Sequence, residues 1–403
     1  MPNYAHLRTL CKTDSDLSIS LIDNFLLYYA SQHDKLDKEF ENRMSRFRHV
    51  KQEIPSSFIN MSKSQYIIHR VFKQGGLINK YLDHAAIKNL ETEQKNYLSH
   101  IAANPWRFSF SEITSSPAPD FYEMEDVFTG DSFLLFSPSI SKTLEEHPVS
   151  LWFNLIGFNG ACWQTFGPVN FYKCFDEDDI FFFATELNSL IASEDDLLDD
   201  IENNPVPYMM LVTGSDFPGL RQGEFETVHV IGEAEVVIPG MQELEKDFLV
   251  EYVPGVYKLS HEVWSGPPHY AEAFYDEERG VVILYSLTDY GYVKMSSLLN
   301  KYKLNLPLVP DIRIHLPMVV TIKKLQKKGL ELNPYGKHFE IKSPPENEEL
   351  IDKLNLAFGM ALPYINAGEE PDIDAIAKEV GIDPGILRSV IEQSRESVRK
   401  LRK

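Results

Sequence analysis

The sequence predicts an α+β protein: a helical N-terminal region, two β-rich modules linked by acidic helices, and a helical C-terminal region. Three observations predict it. Apolar residues recur about every fourth position before residue 104, every second position in the stretches that follow, and at helical spacing again after about residue 288. Between the two alternating stretches lies a run rich in carboxylates and free of Lys and Arg. Pro-rich punctuation at Asn203-Asn204-Pro205-Val206-Pro207 and at Pro344-Pro345 marks linkers. The implied division is 1–103 helical, 104–175 an aromatic-rich small β module, 176–204 an acidic connector, 205–343 an α+β domain, and 344–403 a helical end.

Within residues 1–103, Asp16 is placed to cap a helix carrying Leu17, Leu21, Phe25 and Tyr29 at four-residue spacing. A charged helix from Lys35 to about Glu53 stops before Pro55, and helices over Ser62–Gln74 and Leu77–Ile101 are split at Gly75-Gly76. Arg43, Arg46, Arg48 and Lys51 form a basic cluster on the second of these segments. It reads as a solvated helix face, with a phosphate-binding patch as the sharper alternative.

The densest signal is Asn104–Phe175. Trp106, Phe108 and Phe110 alternate with Arg107, Ser109 and Ser111, the period of a strand with one face on a core and one in water. Tyr122 and Met124 alternate with Glu123 and Glu125, and Phe128-Thr129-Gly130-Asp131 reads as a turn before Ser132–Phe136. A compact antiparallel sheet or small barrel is expected, with Trp106, Phe108, Phe110 and Trp163 as aromatic candidates for binding.

From Asp176 to Glu202 eleven carboxylates stand with no Lys or Arg (Asp176, Glu177, Asp178, Asp179, Glu186, Glu194, Asp195, Asp196, Asp199, Asp200 and Glu202). Ile180–Phe183 and Leu187, Leu190 and Ile191 supply an apolar face, so two short amphipathic helices are expected. The ligand order and central glycine of a calcium loop are missing. Beyond the linker, strands are expected at Tyr208–Thr213, Phe225–Ile238, Gly255–Leu259, His269–Tyr275 and Val281–Leu287. Asp276–Gly280 is a hairpin connection, and helices around Tyr290–Tyr302 and Met318–Lys328 should cover one face. The C-terminal helices run Glu346–Ile365, Asp372–Val380 and Pro384–Lys403.

Length and composition bound the function. A chain of 403 residues, 43% apolar and 25% charged, has the composition of a globular multi-domain protein. No run approaches the roughly 20 apolar residues of a membrane helix, and the N-terminal residues lack a basic-then-apolar signal peptide. Three cysteines, Cys11, Cys162 and Cys174, imply no disulfide framework, so a reducing cytoplasm is the expected setting. A net charge of −21 repels phosphate backbones and favours a basic partner.

No catalytic spacing stands out. Asn159-Gly160-Ala161-Cys162-Trp163 invites comparison with the nucleophile segment of papain-like peptidases, with His229 downstream. Gly167-Pro168 follows too soon for the long helix such a cysteine needs at its back, so a buried structural cysteine is the simpler reading. His261 and His269 lack metal-ligand spacing, and neither a cofactor nor a metal is indicated. At the C-terminus, Ala377, Gly381 and Leu387 are spaced as in a helix-turn-helix, with Asp383-Pro384 opening the second helix. Pro384, Gly385 and Ile386 stand where base-reading side chains would be, which leaves only a phosphate contact through Arg388, Arg395, Arg399 and Arg402.

Trp106-Arg-Phe-Ser-Phe-Ser-Glu-Ile followed by Glu125-Asp-Val-Phe-Thr-Gly-Asp-Ser-Phe resembles segments of large bacterial proteins of uncharacterised role. In those, a P-F-S-F-Y-E-V stretch precedes D-L-L-T-G-E in a small β module. Some members end in a zinc-binding knuckle similar to the C-terminus of the SecA translocation ATPase. The paired cysteines of that knuckle are missing here, so zinc does not carry over. The resemblance implies a bacterial, cytoplasmic protein. The function expected is a non-enzymatic protein-binding or regulatory role. A nucleic-acid contact through the C-terminal basic hairpin is the alternative, and an enzyme with a cryptic site around Cys162, His229, His261 and His269 comes after it. No membrane partner is expected.

Overall fold

The first hundred residues are helical, but their breaks fall where side chains cap the backbone rather than where apolar spacing lapses. The computed structural model describes residues 3–147, 149–214, 217, 221–222, 225–236, 240–261, 269–339, 348–367 and 369–401. Helix α1 (Tyr4–Ser18) is capped by the Asn3 side chain, which accepts from the His6 N–H. It runs through a π-helical stretch (Ile19–Leu26) into α2 (Leu27–Gln32). Asp16, expected as the cap, is therefore an interior helical residue, because the helix begins more than three turns earlier, where Asn3 accepts from a first-turn N–H. The charged helix α3 (Leu36–Met44) gives way to two short 3-10 turns before Pro55 and α4 (Ser56–Phe72). The single helix expected over Leu77–Ile101 is three: α5 (Ile78–Leu82), α6 (Ala85–Lys88) and α7 (Thr92–Ala103). A capping box between Glu91 and Gln94 starts the last of these afresh.

The aromatic segment is a closed five-stranded barrel. Strands β1 (Arg107–Ala118), β2 (Phe121–Asp126) and β3 (Ser132–Phe136) form a meander. After α8 (Pro138–Glu146), β4 (Leu151–Phe158) and β5 (Trp163–Tyr172) form a hairpin. The order is β1-β2-β3-β5-β4, closed by the antiparallel β1–β4 pair and a short parallel β3–β5 pair. One apolar cluster takes Ile113, Met124, Leu135, Trp152 and Val169, one from each strand. A set drawn from every strand is the inner face of the barrel.

That closure buries both faces of β1, where one was expected in water. Phe108 and Phe110 lie on the outer face, stacked on Phe153 of β4, and Phe110 meets Tyr208 edge-on. Ser109 and Ser111, expected in water, are each 2% exposed, because the barrel wall closes over them. Asp126 organises this polar face. One carboxylate oxygen accepts from Arg107 Nη1 and Ser109 Oγ, each at 2.7 Å, and the other accepts from the N–H groups of Phe128 and Thr129. Those last two bonds hold the expected turn.

The acidic run is two helices, α9 (Glu177–Leu187) and α10 (Glu194–Asn203), capped by Asp176 and Ser193. Three carboxylates stand in the first turn of each, where the helix dipole favours them. Glu202 ties α10 inward: Oε2 bonds His69 Nε2 at 2.7 Å and Oε1 accepts from the Phe108 N–H. The expected linker and the strand at Tyr208–Thr213 are corrected to α11 (Val206–Met209) and a 3-10 turn, with Val206, Tyr208, Met209 and Leu211 fully buried. Pro207 at the start of the helix favours a turn of helix and removes a donor a strand would need.

The second β-rich region has a short β6 (Arg221–Gln222) and β7 (Phe225–Glu226) pair, then β8 (Val228–Glu235), α12 (Met241–Leu244), β9 (Leu249–Val253), β10 (Val256–Ser260), β11 (Ala271–Asp276) and β12 (Val281–Ser286). Helix α13 (Asp289–Asn300) and β13 (Ile312–His315) follow. The sheet order is β13-β8-β12-β11-β10-β9, antiparallel throughout. Tyr292, Met295 and Leu299 of α13 pack on Val228, Val230, Val282 and Leu284. The β11–β12 hairpin turns where Asp276 accepts from the N–H groups of Glu278 and Arg279.

Helix α14 (Leu316–Gln326), expected to cover this sheet, groups almost entirely with the first compact unit. Its Lys324 pairs with Glu53, and His49 bonds the Lys324 carbonyl. The two compact units are Met1–Phe217 with Pro317–Gly329, and Pro218–Leu316 with Leu330–Lys403. The first therefore holds the N-terminal helices, the barrel and the acidic helices together. After α15 (Gly336–Phe339), helices α16 (Glu348–Ala367), α17 (Ile373–Val380) and α18 (Pro384–Leu401) share a core of Ala357, Ala361, Ile376, Leu387 and Ile391. The protein is α+β. Among the described residues no helix is long and apolar enough to cross a membrane.

Candidate functional site

The chemistry-bearing side chains of the first unit gather where α1 crosses the β4–β5 turn. Asn159 begins that turn, and its side-chain oxygen accepts from the N–H groups of Ala161 and Cys162. Such an Asx turn is what an Asn-Gly pair commonly builds. It aims Cys162 inward, where its sulfur lies 3.3 Å from that of Cys11 on α1. The Asn159 amide donates to the Cys11 sulfur at 3.4 Å and more weakly to Cys162 at 3.9 Å. Both thiols are buried. Hydrogen bonding from Cys162 holds the Cys11 thiol below its ordinary value, against burial and the Asp14 charge. The same bond, together with burial, pushes Cys162 far up. Of the two sulfurs, Cys11 is therefore the one whose ionisation is favoured.

One turn further along α1 opens a cleft of about 190 Å³, lined by Asp14, Ser15 and Ser18 of α1, Tyr97 of α7, Trp106, and Gln164 of β5. Asp14 Oδ2 accepts from Gln164 Nε2 at 2.7 Å. Burial lifts its carboxyl to about 6, against the pull of His100 and Gln164. A carboxyl near 6 exchanges protons close to neutral pH. The floor depends on Gly157, since a Cβ there would drive into the indole ring of Trp106. Ile19, the first residue of the π-helical stretch, lines the rim.

A second feature is the outer side of the acidic helices. Leu190, in the α9–α10 connection, is 83% exposed. With Asn188, Asp196, Asp199, Asp200 and Asn203 it lines an open surface hollow of about 250 Å³. Glu194, Asp195 and Asp199 are exposed, while Glu186 is paired with Lys328.

The aromatic candidates fall elsewhere than expected. Trp106, Phe108 and Phe110 are at most 6% exposed. Phe108 and Phe110 are packing residues between barrel and helices, and Trp106 borders the cleft beside α1. Trp163 is half-buried under the Arg107 guanidinium, 5.6 Å from its ring. The basic cluster is divided: Arg43 bonds Asn204 and Glu39, and Lys51 pairs with Glu41.

At the C-terminus Arg388 pairs with Asp374 of α17, and Arg395 and Arg399 belong to α18. Arg402 lies outside the described residues, as does Pro344-Pro345. Gly381 takes the left-handed conformation that closes α17, and Asp383 accepts from the N–H groups of Gly385 and Ile386. The expected cap at Asp383-Pro384 is therefore as built.

Cys162 stands on a strand turn with a raised thiol, and His229 belongs to the other unit. Burial lowers the His229 imidazole. His269 bonds Thr288 Oγ1 and packs on Phe225 and Tyr290, and His261 packs on Phe248.

Sequence reasoning missed Cys11, Asn159, Asp14 and Gln164. The odd cysteine count hid a pair, and Asn159-Gly160 was the one local sign of a turn at Cys162. Comparisons with family models, curated proteins and solved structures find no match.

Proposed function

We propose that this is a non-enzymatic binding protein of the cytoplasm whose acidic helical face receives a basic, partly apolar segment of another protein. The observation that carries the reading is Leu190, 83% exposed and bordered by Asp196, Asp199 and Asp200. An exposed leucine ringed by carboxylates fits a partner that offers an apolar anchor among Lys and Arg side chains. The overall charge of −21 steers such a partner in and repels nucleic acid. Capping and dipole effects account for the first-turn carboxylates, but they give no reason for Leu190 to face water.

The test is a titration of the full chain with an amphipathic Lys/Leu peptide, followed by calorimetry at low and moderate salt. Binding should weaken steeply with salt, and Leu190→Ser and Asp195→Lys/Asp199→Lys should each weaken it at least about tenfold. Equal affinity for the native and charge-reversed chains, or a Leu190→Ser chain that binds like the parent, overturns the reading.

A further inference from the structure

The fold brings together two thiols that are 151 residues apart in the chain and leaves them 3.3 Å apart, inside a wall of otherwise apolar contacts. Phe121 and Phe136 of the barrel and Tyr4 and Leu7 of α1 surround them. A structural cysteine in such a place would be expected to have apolar neighbours only. Here each sulfur instead faces the other, and one carboxamide donates to both. We infer that Cys11 and Cys162 are a redox pair that a hydroperoxide converts to a disulfide, bolting α1 to the β4–β5 turn.

The roles follow from the surroundings. Cys11 is the sulfur more readily ionised, since Cys162 and Asn159 hydrogen-bond to it and the Arg8 charge is near. Its sulfur attacks one peroxide oxygen, the O–O bond breaks, and the departing oxygen leaves as water or an alcohol after taking a proton. Cys11 is then a sulfenic acid. The Cys162 sulfur attacks the Cys11 sulfur, the S–O bond breaks, and the hydroxyl departs with the Cys162 proton as water. Two electrons pass from the two thiols to the peroxide, and one S–S bond forms. Gly160 and Ala161 are exposed on the turn that carries Cys162, so a small oxidant needs only that turn to open.

The device acts on the cleft. Asp14, Ser15 and Ser18 line it from the same helix that carries Cys11, and the Ser15 hydroxyl donates to the Cys11 carbonyl. A disulfide fixes that wall, and a reductant releases it. Reversible oxidation of this kind is the use a reducing compartment makes of a cysteine pair. The inference stands apart from the docking reading, since it needs neither Leu190 nor a partner.

The test treats the full chain with hydrogen peroxide, tags remaining thiols with a maleimide, and maps a non-reducing digest by mass spectrometry. A linked Cys11–Cys162 peptide should appear, with Cys174 still tagged. The melting temperature should rise by roughly 5–10 °C, because a loop of more than a hundred residues is closed. Dithiothreitol should reverse both. Cys174→Ser, which leaves the pair alone, should give the same cross-link, and in Cys162→Ser a dimedone adduct should accumulate on Cys11. The inference is overturned if both thiols remain tagged at a peroxide dose that oxidises free glutathione. It is equally overturned if Cys11 passes to sulfinic acid while Cys162 stays a thiol. The two-cysteine Cys174→Ser chain decides the matter even if Cys162→Ser does not fold.

Discussion

The barrel of the first unit and the six-stranded sheet of the second read alike in sequence, yet they use alternation differently. The sheet buries the face under α13 and leaves two edges, β13 and β9, with Leu249 67% and Tyr252 56% exposed on β9. The barrel has no edge, its outer aromatic face is covered by helices, and its polar face carries buried Ser109, Ser111 and Asp126. Closing a sheet turns a nominal water-facing side into interior, so polar groups there must find partners inside the protein. Asp126 does so with four hydrogen bonds. The barrel should therefore fail sharply at single polar positions, and the sheet edge should tolerate change.

The largest effect is expected from Asp126→Ala, which leaves Arg107 and Ser109 without their acceptor and frees the turn at Phe128. A loss of about 3–5 kcal/mol is expected from urea unfolding. A loss under about 1 kcal/mol would mean that the polar network is incidental to closure. Next comes Gly157→Ala, whose methyl group must displace the Trp106 indole. It should cost about 1–3 kcal/mol and quench or shift tryptophan emission. A neutral outcome would show the cleft floor to be soft.

Asp14 sharpens the comparison through pH. Its carboxyl is raised from an ordinary 3.8 to about 6, so its favourable contribution is complete below pH 3.8 and is lost as pH rises through 6. Asp14→Asn keeps an acceptor for Gln164 and should remove that loss. At pH 7 the variant should be more stable by about 1 kcal/mol, the full shift being trimmed because the carboxyl is partly open to solvent. Unfolding curves of the two chains that run parallel from pH 4 to 7 would refute it. The smallest effect is Leu249→Lys on the sheet edge, expected within about 0.5 kcal/mol of the parent. A larger loss would mean that β9 is covered in solution.

Much of the fold was legible because local rules and tertiary packing agreed. The alternation at Trp106–Phe110, the Phe128–Asp131 turn, the two acidic helices and the Asp383 cap each depend on neighbours within a few residues. The misses have the opposite character. Tyr208–Thr213 has the apolar content of a strand, and apolar content cannot separate a buried strand from a buried helical turn. Helix α14 carries an apolar face without saying which unit it will cover.

The sequence by itself determined the secondary structure of the barrel strands, the acidic character of the α9–α10 face and the cap at Asp383, since each is a matter of spacing and short-range hydrogen bonding. Tertiary structure alone decided that Ser109 faces inward, that Asp14 is lifted toward neutrality, and that Cys11 meets Cys162. Those outcomes depend on which surfaces lose water when distant segments pack. A residue's neighbours in the chain do not carry that information.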